Sequence, residues 1–207
     1  VIAAIHVLIL VASRDLGAAL LFFVTYVVML YVATKKVLYF AGGLAAGSAA
    51  SVVAYHLFSH IRVRVRAWHK IPVGKQDFIF SAVSEELGGI FALCLIMVCF
   101  SCFLMFLNIA MQMKDQFYKL VALGLGTIYA FQVFLTIGGV TKFIPSTGVT
   151  LPLVSYGGSS LLSSMIIFAV IQGLYILRQD EGEINASKSR KNRQNRKKTT
   201  GFENADI

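Results

Sequence analysis

Asp77 stands two residues after Lys75 and directly before Phe78–Ile79–Phe80. A carboxylate held ionised by Lys75 and the nearby Arg62, Arg64 and Arg66 has the charge state of a general base. The same position suits an N-cap, where the helix dipole favours negative charge. The run Arg-Val-Arg-Val-Arg from Arg62 to Arg66 would set three guanidinium groups on one side of an extended chain. Their planar forks bond anionic oxygens in pairs, which suits a diphosphate; lipid phosphates would satisfy them equally. Glu85 and Glu86 follow about 12 Å further along a helix. At that depth an ionisable group faces a cavity or a partner. Glu85 falls nearer the Asp77 face, whereas Glu86 suits pairing with a basic residue on another helix. Asp15, after Arg14, reads equally as a cap or a functional acid.

A second candidate lies downstream. The run Lys142–Leu162, KFIPSTGVTLPLVSYGGSSLL, packs Pro145, Pro152, Gly148, Gly157 and Gly158 among small hydroxyl residues. Proline removes a backbone donor and glycine weakens helix, so this stretch is not plain helix. Irregular backbone at membrane depth persists only where protein or a water-filled cavity covers it. Lys142, Ser155 and Ser159 are the binding groups it offers.

The elements that must position these residues are apolar. Hydrophobic residues make up 57% of the 207, and mean hydropathy is +0.73, which excludes an ordinary soluble domain. Six apolar segments follow: Val1–Ala12, Leu16–Thr34, Val37–Ser59, Phe78–Leu107, Leu120–Val140 and Ser155–Leu177. Spans of about 20 residues cross a hydrocarbon core. The fourth segment is longer than that, so it should tilt, kink or project. The expected fold is an all-α integral membrane protein, a polytopic helix bundle over residues 1–178, with a disordered basic tail over 179–207. An opening at Val1 inside an apolar run reads as the C-terminal part of something longer. Gly42, Gly43, Ala46, Gly47 and Ala50 predict close helix approach. Cys94, Cys99 and Cys102 share one apolar segment without metal-ligand spacing and read as packing. His56 and His60, four apart, are weak evidence for a metal site and suit an interfacial role.

Loop charge sets orientation. Lys35–Lys36, Lys114 and Lys119, and the tail KSRKNRQNRKK share one side, the cytoplasmic one; the tail suits anionic lipid rather than nucleic acid. The Arg14–Asp15 turn, the loop 59–77 and the segment 141–154 then face outward. The cations of the loop 59–76 run against that bias, which marks them for an anion.

Four motifs now stand in order: RDLGAALLFF (14–23), RVRVRAW (62–68), KQDFIFSAVSEELG (75–88) and PSTGVTLPLVSYGGSS (145–160). Together they resemble the SEDS family of bacterial cell-wall synthesis (FtsW, RodA and SpoVE). The resemblance implies ten transmembrane helices, of which the last five to six are present. It further implies a peptidoglycan glycosyltransferase that polymerises lipid II beside a class B penicillin-binding transpeptidase. Asp77 matches the family's essential acid and would act as general base or as ligand of a divalent cation (Mg or Mn). Arg62, Arg64 and Arg66 match its Arg-rich stretch, Glu85 and Glu86 its paired glutamates, and Ser155–Ser160 its SYGGSS turn. With Lys75 and Lys142 these form the expected substrate-binding set. The sequence departs from the family in one loop. Only His69–Gln76 separates Trp68 from Asp77, where the family carries a longer, Gly-rich segment. Two other functions remain open: a lipid II translocase, and an inactive fragment that scaffolds division or elongation partners.

Overall fold

The computed structural model describes residues 9–10, 15–57, 62–63, 79–145 and 147–203. Six helices run through them: α1 (Leu16–Thr34), α2 (Val37–Leu57), α3 (Ile79–Glu86), α4 (Gly89–Gln112), α5 (Gln116–Val140) and α6 (Gly158–Glu203). Among the described residues no strand occurs. All but α3 contain a stretch long and apolar enough to cross a membrane. The all-α bundle expected from the sequence is the observed one.

Helix α1 begins where its cap permits. The Asp15 carboxylate accepts a hydrogen bond from the Ala18 N–H at 3.0 Å, satisfying one of the first-turn donors that no helix can satisfy internally. Of the two roles open to Asp15, capping is the one realised. Replacing it with Ala should cost about 0.5–2 kcal/mol, read as a lowered Tm in detergent. At the other end Lys35 adopts a left-handed φ of 54° and donates its N–H to Tyr31 O at 2.7 Å.

Helix α2 packs on α1 and on no other described helix. Gly43 and Gly47 lie four apart and so on one face. A Cβ at Gly43 would stand 2.8 Å from the Val27 side chain, and one at Gly47 would stand 2.6 Å from Phe23. The close approach expected from the small residues is therefore present, and a methyl at either position would hold the helices apart.

The overlong fourth segment resolves into two helices. Helix α3 ends at Glu86, Gly88 takes φ 88°, and α4 restarts at Gly89. An L-residue adopts that φ only with strain, so the break falls where the side chain is absent. Helix α4 then runs beyond Leu107 to Gln112 and turns back through Met113–Asp115 into α5.

Helix α5 is the central element, packing against α1, α3, α4 and α6. Phe106, Tyr129 and Phe168 bring their rings together with centroids 5.1–5.7 Å apart, one ring from each of α4, α5 and α6. Tilted and edge-on pairs of this kind add to simple burial. Ile109, Ala110, Met113, Ala122, Ile171 and Leu174 complete this buried cluster. Cys99 is buried beside it and Cys102 packs against it, while Cys94 is exposed. Among the described residues no group of His, Cys, Asp and Glu could hold a metal.

Helix α6 differs from expectation in length. Its backbone stays helical through Glu203, into the segment read as disordered. Lys, Arg and Gln are good helix formers, and between Gly182 and Gly201 no glycine or proline interrupts them. The span thus supplies a formed helix on which the tail continues without a new nucleation step.

Candidate functional site: the loop between α5 and α6

Residues 141–157 leave regular structure, as the Pro and Gly content requires. Helix α5 stops at Thr141, and Lys142 reverses the chain with a left-handed φ of 59°. The N–H groups of Phe143 and Ile144 both donate to Gly138 O, at 2.9 and 3.1 Å, which satisfies a carbonyl that the helix end would leave open. From Thr147 to Thr150 the chain runs back along α5 without regular structure, passing through Gly148 at φ 78°.

Two polar side chains inside the apolar α5 hold that stretch. Gln132 Nε2 donates to Thr150 O at 3.0 Å. Thr136 Oγ1 lies 2.9 Å from Val149 O and 2.9 Å from Gln132 O, so its single proton is shared between them. Consecutive loop carbonyls are thereby taken up by the helix beneath. Helix α1 supports the same stretch from the side: a Cβ on Gly17 would stand 2.5 Å from Val149 Cγ2 and 3.0 Å from Thr147 O. The start of α1 and the loop 141–157 therefore share one end of the bundle.

The loop ends in a tight turn. Leu151 is fully buried, Pro152 follows it, and Leu153 takes φ 62°. Val154 N–H returns to Leu151 O at 3.3 Å, the proline-then-positive-φ form of a type II turn. Glycine normally fills the second central place; a leucine there carries strain of about 1–2 kcal/mol. Strain of this kind collects at functional segments. Ser155 locks the turn. Its N–H donates to Leu151 O at 3.0 Å, and its Oγ accepts from the Leu151 N–H at 2.8 Å. Thr150 Oγ1 and Ser160 Oγ, 2.6 Å apart, tie the loop to the first turn of α6. Tyr156 stands almost wholly exposed between them at 86%.

The expected site residues therefore take different positions. Ser155 is buried with its oxygen engaged inside the loop, so it shapes the site from within. Changing it to Ala leaves the buried Leu151 N–H without an acceptor, with an expected loss of about 1–3 kcal/mol read by thermal denaturation in detergent. Ser159 is exposed at the start of α6, and Lys142 is exposed at the start of the loop. The structure brings these three residues to one segment. Glu85 and Glu86 are exposed at the C-terminal end of α3, just before the break at Gly88. Arg62 is half-buried, and among the described residues its buried Nε has no hydrogen-bond partner. Asp77, Arg64, Arg66, Lys75 and His60 lie outside the described residues, and so does most of the segment Val1–Ala12. Sequence reasoning missed Gln132, Thr136 and Gly17. Two polar groups four apart in an apolar span were the available signal for the first two.

A family model described as "Cell cycle protein", FTSW_RODA_SPOVE, matches residues 64–179. Peptidoglycan glycosyltransferase RodA of Mycobacterium tuberculosis (strain ATCC 25618 / H37Rv) is 33% identical over 203 residues, covering 81% of this chain and 43% of the relative. Probable peptidoglycan glycosyltransferase FtsW of Bacillus subtilis (strain 168) is 40% identical over 110 residues, covering 52% of this chain and 27% of the relative. Stage V sporulation protein E of the same organism is 43% identical over 102 residues, covering 49% and 28%. The chain thus spans less than half the length of these relatives. The RodA alignment extends over 203 positions yet uses only 81% of this 207-residue chain, so the relative carries residues there that this chain lacks. The family match takes in more than half of the chain, including α3, the α5 platform and the whole 141–157 loop. On that ground the chain belongs to the FtsW/RodA/SpoVE family.

Proposed function

We propose that this chain forms part of a peptidoglycan glycosyltransferase that polymerises lipid II at the outer face of the bacterial cytoplasmic membrane. The observation that carries the reading is the 33% identity with a relative named as that enzyme, over 81% of the chain. The tied-down loop between α5 and α6, at the same end of the bundle as the start of α1, supports it. The chain is a multi-pass membrane protein.

The chemistry follows from the charges. Asp77 takes the proton from the 4-hydroxyl of the acceptor's N-acetylglucosamine as that oxygen attacks the anomeric carbon of the donor's N-acetylmuramic acid. The bond from that carbon to the diphosphate oxygen breaks, and undecaprenyl diphosphate leaves with the electron pair. Arg62, Arg64, Arg66 and Lys75 stabilise the charge that develops there, most effectively where water is excluded. Lys142, Ser159 and Glu85 bind the sugar and diphosphate groups around them, while Ser155 keeps the loop in shape. A divalent cation (Mg or Mn) held at Asp77 would assist the leaving diphosphate. The outward side carries the site, the α6 extension lies in the cytoplasm, and a class B penicillin-binding transpeptidase cross-links the product.

Purified chain incubated with labelled lipid II should give a ladder of glycan polymers, diminished by chelation of divalent cations if the metal takes part. Absence of the ladder, with the mycobacterial relative active in parallel, would overturn the reading for this chain and favour a scaffold.

A further inference from the structure

Helix α6 carries an apolar span from Gly158 to Asp180 and then continues to Glu203. The continuation has a marked order of charge. Asp180, Glu181 and Glu183 come first, on either side of Gly182, and seven cations then crowd into Lys188–Lys198 without an acid among them. From Glu183 to Thr200 only Ile184 and Ala186 are apolar. That composition gives no apolar face with which a helix could sink into the headgroup boundary. Any attraction to a surface must therefore be electrostatic.

Distance decides whether such attraction is felt. Along an unbroken helix Lys188 stands about 12 Å beyond Asp180, and Lys198 about 27 Å. Physiological salt screens charges over about 8 Å. Held straight off the span, the cations would stand beyond the reach of the membrane in which α6 is anchored. Laid along the surface, each would gain from the anionic lipid beneath it. Bending the helix forfeits one turn of about four hydrogen bonds, each of modest net worth in water. Seven cations outweigh one turn. Gly182 is the residue between the acids and the cations at which bending costs least, because it has the weakest helix preference in that stretch.

We infer that the α6 continuation is a hinged electrostatic clamp, bending at Gly182 to lay the Lys188–Lys198 cations on the anionic headgroups of the chain's own membrane. The span keeps the ligand surface permanently within reach, so binding needs no affinity for a partner diffusing in solution. A soluble acidic partner would have to bind against that tethered competitor.

The test uses the full chain reconstituted in nanodiscs, with a fluorophore at its C-terminus and a quencher on the lipid headgroups. Discs containing phosphatidylglycerol should quench several-fold more than discs of phosphatidylcholine alone. High salt should abolish the difference, as should replacement of the seven cations by Gln. Gly182→Ala should reduce quenching in the anionic discs without affecting the zwitterionic ones. The salt comparison uses the unaltered chain and so does not depend on how any variant folds. Equal quenching in the two kinds of disc would overturn the clamp and leave the basic run to a soluble acidic partner. A difference that survives high salt would overturn its electrostatic basis.

Discussion

Asp77→Asn should lower glycan polymerisation by about a hundred- to ten-thousandfold, the range that a positioned general base contributes. Asparagine keeps the size of the side chain but carries no charge and cannot take a proton. The cations proposed to hold the diphosphate are untouched, so binding of lipid II should persist while turnover falls. Rates from labelled lipid II over a range of concentrations separate the two: kcat drops, and KM stays within a few-fold. A rate within tenfold of the unaltered protein would sink the role of Asp77 as base. Equal loss in kcat/KM through KM alone would make it a binding group instead.

The second large effect comes from a residue without chemistry. Gly17 carries the loop, since any Cβ there meets Val149 Cγ2 at 2.5 Å and the Thr147 carbonyl at 3.0 Å. A methyl side chain can rotate away, but the backbone carbonyl cannot yield without moving the stretch that Gln132 and Thr136 hold. Overpacking of this kind costs about 1–3 kcal/mol, and Gly17→Leu should fall at the upper end. Displacing a site by about 1 Å can cost on the order of a hundredfold in rate. Gly17→Leu should therefore lower both the Tm in detergent and the polymerisation rate. Gly42→Leu is the control, because nothing lies within 4 Å of a Cβ at Gly42. If both variants lose the same amount, the contact between α1 and the loop is not what matters.

Gly17 also illustrates where sequence reading stops. The bounds of α1 were legible to the residue, since the apolar run begins after an Asp and ends before two lysines. The irregularity of 141–157 was legible from proline and glycine alone. The long apolar fourth segment predicted a tilt, a kink or a projection, but not that Gly88 would divide it into two helices. Hydroxyls are harder. Ser155 reads as a binding group because it sits in a motif, yet its oxygen is spent on the Leu151 N–H. Thr136 and Gln132 read as minor interruptions of a span, yet they hold the loop. In each case the deciding partner is distant in sequence or fixed by backbone direction, and neither is encoded in local pattern. The helical backbone of the tail to Glu203 has another origin. Its polarity argues against burial, and burial is not what helix needs when a formed span already supplies the preceding turns.

The turn at Leu153 bears on how the molecule comes together. A leucine does not rest at φ 62° in a free peptide, where about 1–2 kcal/mol opposes it. The conformation becomes favourable only when Leu151 is buried, Ser155 has found its N–H, and α5 has taken the carbonyls of Val149 and Thr150. Those contacts draw on α5 and on the loop itself. The shape of the loop therefore depends on the packing of this end of the bundle, and loosening that packing should release the turn.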